Sequence, residues 1–77
     1  MLRLFASARE AAGTGRVEID APTVGDVLRL ATERFGDGFE AVLATSKVWV
    51  NGDPAGLDDP VAADDEVAVL PPVSGGV

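Results

Sequence analysis

Cysteine, histidine and tyrosine are absent from these 77 residues, and lysine occurs once, at Lys47. Without a thiol or an imidazole the chain cannot form a disulfide, a conventional zinc site, a thiolate nucleophile or an imidazole base. Carboxylates, hydroxyls, Lys47 and the chain ends are a poor set for an autonomous enzyme. Cations are scarce as well, with six Lys and Arg against 13 Asp and Glu and a net charge of −7. Nucleic-acid affinity rests chiefly on Lys and Arg neutralising phosphates, so this balance argues against a nucleic-acid partner. It suits a partner with a basic surface, and it equally suits plain solubility. No apolar run approaches the ~20 residues of a membrane helix. Met1 leads straight into Leu2-Arg3-Leu4-Phe5, without the basic stretch, apolar region and cleavage site of a targeting segment. The expectation is a cytoplasmic chain with no membrane partner.

What is present is a globular balance of 47% hydrophobic and 25% charged residues, enough for one small core. Leu2, Leu4 and Ala6 alternate with Arg3, Phe5 and Ser7, the pattern of a strand with one buried face. Ala8 to Ala12 reads as a short helical turn closed by Gly13-Thr14-Gly15, and Arg16 to Asp20 as a second strand. Thr23 with Asp26 three residues on forms a capping arrangement, so a helix is expected to begin at Val24. Val24, Val27, Leu28, Ala31 and Phe35 share one helical face, and Gly36-Asp37-Gly38 ends it. Phe39 to Ala44 has no decisive pattern; as a short helix it adds Phe39, Val42 and Leu43 to the core. Lys47 to Val50 reads as a strand stopped by Asn51-Gly52, Pro54 to Asp65 as a loop, and Glu66 to Leu70 as the last strand. The acidic pairs Asp58-Asp59 and Asp64-Asp65 sit in loop-like sequence without further ligands, which favours solvated turns over a metal site. The economical arrangement is an α+β domain over residues 1–70, a small mixed sheet with one main helix on one face. A flexible tail over 71–77 follows.

That tail carries the most specific signal. It runs Pro71-Pro72-Val73-Ser74-Gly75-Gly76-Val77. Together with Leu4-Phe5-Ala6-Ser7-Ala8-Arg9-Glu10 near the start, Val50-Asn51-Gly52 in the middle and Asp64-Asp65-Glu66-Val67-Ala68-Val69-Leu70 before it, the whole chain resembles the sulfur carriers of the ubiquitin-like β-grasp fold. The similarity is specifically to the small subunit of molybdopterin synthase, with the thiamin-pathway sulfur carrier second. The resemblance implies that an E1-like enzyme uses ATP to adenylate the Gly76 carboxylate. A sulfur donor then converts the adenylate to a thiocarboxylate, and the tail delivers that sulfur inside the large subunit of molybdopterin synthase. No cofactor bound by this chain itself is implied.

The residues suit that role. A carboxylate on a tail carries sulfur without any cysteine, and six residues from Pro71 to Gly76 reach roughly 20 Å when extended. Pro71-Pro72 stiffens the base, Val73 and Ser74 span, and Gly75 and Gly76 fit a narrow channel. Strand alternation adds a docking surface. If Leu2, Leu4, Val48, Val50, Val67 and Val69 face the helix, then Arg3, Phe5, Trp49, Ala68 and Leu70 face away. Phe5, Trp49 and Leu70 would form an apolar patch beside the tail, and Arg9 and Lys47 are equally readable as contacts for an acidic partner surface or as ordinary surface charges. The competing reading makes Trp49 the main core residue with the strand faces swapped.

Val77 departs from the family pattern, because it covers the carboxylate that the chemistry needs. A peptidase that removes it, an extra residue added to the natural chain, or drift to another role would each account for it; processing is the favoured reading. The alternative function is a ubiquitin-like modifier, in which Gly76 forms an isopeptide bond with a target lysine, or a carrier for another pathway such as thiamin, cysteine or tRNA thiolation.

Overall fold

The computed structural model describes residues 1–72. Five strands form one sheet: β1 (Leu2–Leu4), β2 (Arg16–Val17), β3 (Lys47–Val50), β4 (Asp53–Pro54) and β5 (Val67–Leu70). Their order is β2-β1-β5-β3-β4, with β1 and β5 parallel at the centre and the other pairs antiparallel. Three helices complete the domain: α1 (Ala6–Ala12), α2 (Val24–Phe35) and α3 (Asp37–Leu43). Ala8 of α1, Val24, Val27, Leu28 and Ala31 of α2, and Phe39 of α3 join Leu2, Leu4, Val67 and Val69 in one buried cluster. The core therefore lies between one sheet face and three helices, where the sequence pattern announced one main helix.

Helix α2 starts and stops as its sequence dictates. The Asp26 amide donates to Thr23 Oγ1 at 3.2 Å, and the Thr23 hydroxyl donates to Asp26 Oδ2 at 3.1 Å. Gly36, at φ +90°, breaks the chain between α2 and α3. Its successor Asp37 resumes helix because Phe39 then fills the core, fully buried and tilted against Phe35 at 5.3 Å between ring centres. The open question over residues 39–44 is thus answered by burial of one aromatic ring.

Several boundaries differ from the sequence reading. The first helix begins at Ala6 rather than Ala8, and β1 stops at Leu4. The Phe5 carbonyl accepts from the amides of Ala8 and Arg9, which turns the chain there, and Ala6 takes φ +50° in the turn. The second strand ends at Val17 rather than Asp20, because Val17 already pairs with Leu2 at the start of β1 and later residues have no strand opposite. The last strand starts at Val67, and Asp53–Pro54 forms an edge strand within what read as a turn and loop. A proline on the outermost strand lacks a ladder donor and blunts that edge.

Asn51 and Gly52 both have positive φ, at +51° and +87°, as the tight turn between β3 and β4 requires. The Asn51 side chain does more than turn the chain: its Oδ1 accepts from the Glu66 amide and its Nδ2 donates to Asp65 Oδ1, both at 2.9 Å. The Ala62 amide and the Asn51 side chain together hold the Asp65 carboxyl below its ordinary value. A carboxylate depressed in the folded state stabilises the fold above its unfolded pKa, and that contribution is lost as pH falls through the folded value. Asp65→Asn is accordingly expected to flatten part of the acid limb of stability against pH, measured by urea unfolding from neutral pH down through the carboxylate range. An acid limb identical to that of the parent chain would overturn the assignment.

Candidate functional site: the open sheet face and the base of the tail

The face of the sheet away from the helices is open. Its central row crosses all five strands through paired residues, in the order Arg16, Arg3, Ala68, Trp49 and Pro54. The next row pairs Leu70 with Lys47, and Phe5 lies on the other side of Leu70, its amide donating to the Val69 carbonyl at 3.3 Å. Phe5 is 39% and Leu70 38% exposed, while Trp49 is half-buried within the row. Leu2, Leu4, Val67 and Val69 point inward and are buried, and Val48 and Val50 pack against them. These positions exclude the swapped arrangement with Trp49 at the centre of the core. Phe5, Trp49 and Leu70 share one exposed apolar surface.

The tail begins in the middle of that surface. Leu70 ends the central strand β5, flanked by β1 and β3, so the chain departs between Phe5 and Lys47. Pro71 is half-buried and Pro72 exposed. Neither can donate a ladder hydrogen bond, which stops the strand at Leu70. Val73, Ser74, Gly75, Gly76 and Val77, singled out for spanning, entering, reacting and processing, lie outside the described residues.

Charge on this face is opposite in sign to the charge of the chain. Arg3, Arg9 and Arg16 line one concavity of about 410 Å³ together with Phe5, where α1 meets β1 and β2. With Lys47 on the far side of Leu70, four of the six cations surround the apolar patch. The Arg3–Glu66 ion pair is long, at 3.9 Å, and both side chains are about 40% exposed, so it neutralises little. A net charge of −7 suggests a basic partner; this face calls for carboxylates beside an apolar surface. Arg9 was legible as a candidate contact, whereas its grouping with Arg3 and Arg16 depends on the β1–β2 register, with Arg16 opposite Arg3. Alternation alone places Arg3 outward and Arg16 on the face opposite Val17, but it does not bring Arg9 beside them.

The acidic pairs build turns. Asp59 Oδ2 accepts from the Gly56 amide at 2.9 Å, and Asp65 Oδ2 from the Ala62 amide at 2.8 Å. Among the described residues no group of three or more acidic side chains is placed to hold a metal ion. No helix among them is long and apolar enough to cross a membrane.

Residues 2–76 match the model of the ThiS family. The chain belongs to this family of β-grasp sulfur carriers. It is 42% identical to small archaeal modifier protein 1 of Haloferax volcanii, over 96% of this chain and 97% of that one. It is 38% identical to the molybdopterin synthase sulfur carrier subunit of Escherichia coli, over 94% and 93%. Among solved structures, the small archaeal modifier protein 1 of Methanosarcina acetivorans superposes with a TM-score of 0.86 at 30% identity, covering 97% of this chain and 93% of that one. The ubiquitin-like β-grasp architecture expected from the sequence is thus the architecture found, and the chain is a ThiS-family sulfur carrier. The match spans residues 2–76 and so runs on through Gly75 and Gly76, leaving Met1 and Val77 outside it.

Proposed function

We propose that this chain is the sulfur-carrier subunit of a molybdopterin synthase, charged at Gly76. The observation that carries the proposal is a family match that ends on Gly76 of a tail leaving the centre of an open apolar face. On this reading an E1-like enzyme docks on Phe5, Trp49 and Leu70 and receives the tail. The Gly76 carboxylate attacks the α-phosphorus of ATP, pyrophosphate leaves, and an acyl-adenylate forms. Sulfide then attacks the acyl carbon and displaces AMP, giving the thiocarboxylate. In the large synthase subunit the sulfur passes to the pterin precursor and the carboxylate is regenerated by water. Arg3, Arg9, Arg16 and Lys47 orient both partners by facing their carboxylates.

Gly76 is followed by Val77, so its carbonyl carbon is tied in a peptide bond. On this reading a peptidase hydrolyses the Gly76–Val77 bond and frees the reacting carboxylate. The small archaeal modifier relative keeps a second reading in view, with the same activated glycine joined to a lysine of a target protein.

The test uses two chains, one ending at Gly76 and one retaining Val77, each incubated with the E1-like enzyme of the same organism, ATP and sulfide. Intact mass is expected to show oxygen replaced by sulfur only in the chain ending at Gly76. Equal sulfur uptake with Val77 in place would overturn the processing step. Lysine-linked conjugates without thiocarboxylate would replace the carrier reading by the modifier reading.

A further inference from the structure

A second surface lies in the helical layer, away from the open sheet face. A groove of about 530 Å³ runs between α2, α3 and the loop bearing Leu57, walled by Leu28, Leu43, Val48 and Leu57, with Glu33 and Glu40 at its margin. Its lip is a leucine held out in water. Leu57 is 62% exposed, yet its backbone is fixed, since the Gly25 amide at the start of α2 donates to the Leu57 carbonyl at 2.8 Å. A side chain at position 25 would place its Cβ 3.1 Å from that carbonyl oxygen, a crowded approach that the loop would have to ease by a few tenths of an ångström. The loop is pinned again by Asp59, whose carbonyl accepts from the Val24 amide and whose side chain accepts from the Gly56 amide.

The polar groups in the groove are turned away from it. Thr32 donates its hydroxyl to the Leu28 carbonyl at 2.9 Å and Ser46 donates to the Val42 carbonyl at 2.8 Å, which leaves the walls apolar. Arg29 is taken up by Glu33 at 3.0 Å and Asp26 at 3.7 Å. Glu40 makes no ion pair among the described residues. The margin therefore holds two carboxylates, Glu33 and Glu40, against the single guanidinium of Arg29, an acidic balance unlike that of the open face.

Charge decides the occupant. The chain's own segment 71–77 contains no cation, and a second copy, repelled by its net charge of −7, holds four of its six cations, Arg3, Arg9, Arg16 and Lys47, on the open face, the surface its tail base occupies. We propose that this groove receives a basic amphipathic segment of a partner protein. Its apolar side chains enter between Leu28, Leu43 and Leu57, and its Lys or Arg side chains meet Glu33 and Glu40, the helix-in-groove mode. Because the groove and the tail base occupy opposite layers, such a segment tethers the carrier without competing for the open face.

The probe is a leucine–lysine amphipathic helical peptide of about five turns, titrated into the isotopically labelled full chain and followed by backbone amide shifts. A leucine–glutamate peptide of the same pattern serves as its counterpart. Shifts are expected at Thr32, Leu43, Ala44 and Leu57, with the lysine peptide only, and weakened by salt. The double variant Glu33→Gln/Glu40→Gln is expected to bind about tenfold more weakly. Glu18→Gln/Asp64→Asn, which removes the same charge elsewhere, is expected to bind as the parent does. Leu57→Ala is expected to weaken binding without altering the fold. Shifts confined to the open face, equal binding of the glutamate peptide, or equal loss in both double variants would each overturn the proposal. Groove shifts that grow with protein concentration alone would assign the site to a second copy instead.

Discussion

Phe39→Ala is expected to leave the domain largely or wholly unfolded near physiological temperature. The ring is fully buried and touches Phe35 from a separate helix, so its loss opens a cavity that α2 and α3 cannot both collapse into. Such truncations cost about 3–5 kcal/mol. A domain of this length has roughly 4–12 kcal/mol in total, so the loss takes a large share. Each kcal/mol lowers the melting temperature of so small a domain by roughly 4–8 °C, and a thermal melt by circular dichroism reads the drop directly. Phe39→Leu keeps most of the apolar volume and is expected to lose clearly less. A melting temperature within a few degrees of the parent for Phe39→Ala would mean that α3 does not anchor the core.

Trp49→Ala is expected to give the opposite pattern, with binding lost and the fold retained. Trp49 stands on the outward row, opposite Ala68 and Pro54, and takes no part in the buried cluster. Removing a central aromatic from an interface costs about 2 kcal/mol or more, which is about thirtyfold in affinity at 1.4 kcal/mol per factor of ten. Affinity for the E1-like enzyme of the same organism, measured by titration calorimetry, is expected to fall by at least that factor, with urea unfolding shifted far less than in Phe39→Ala. Trp49→Phe is expected to recover part of the binding. A Trp49→Ala chain that unfolds like Phe39→Ala, or that binds like the parent, would remove Trp49 from the docking surface.

These two aromatics also mark how far the sequence could be read. Trp49 was legible as outward because strict alternation with Val48 and Val50 leaves it one face, once those valines are assigned to the core. Phe39 was only a candidate, since Gly36-Asp37-Gly38 reads as a helix stop and gives no sign that a seven-residue helix follows. Its burial comes from packing against α2 and α1, a tertiary cause that overrides weak local propensity. Helix α2 was legible in full, from the Thr23–Asp26 cap to Gly36, because capping, periodicity and termination agree over twelve residues. Strand β4 was not: Asp53–Pro54 has no apolar alternation, and only its pairing with Trp49 and Val50 makes it a strand. The cationic margin of the open face was hidden for a related reason. Arg9 and Lys47 could be named, but the grouping of Arg3, Arg9 and Arg16 arises from register and from the turn at Phe5.

The pairing of β1 with β5 has a consequence for the order of events during synthesis. The first strand and the last lie side by side at the centre of the sheet, so the domain cannot close until Val67 to Leu70 have been made. Contacts between such distant parts of the chain are also slow to form, since loop closure precedes their reward. A chain released early lacks the central strand and with it Leu70, and so presents no completed face to an activating enzyme. Gly75 and Gly76 follow Leu70 by only a few residues, so a chain cut short before β5 lacks the completed face and the glycines together.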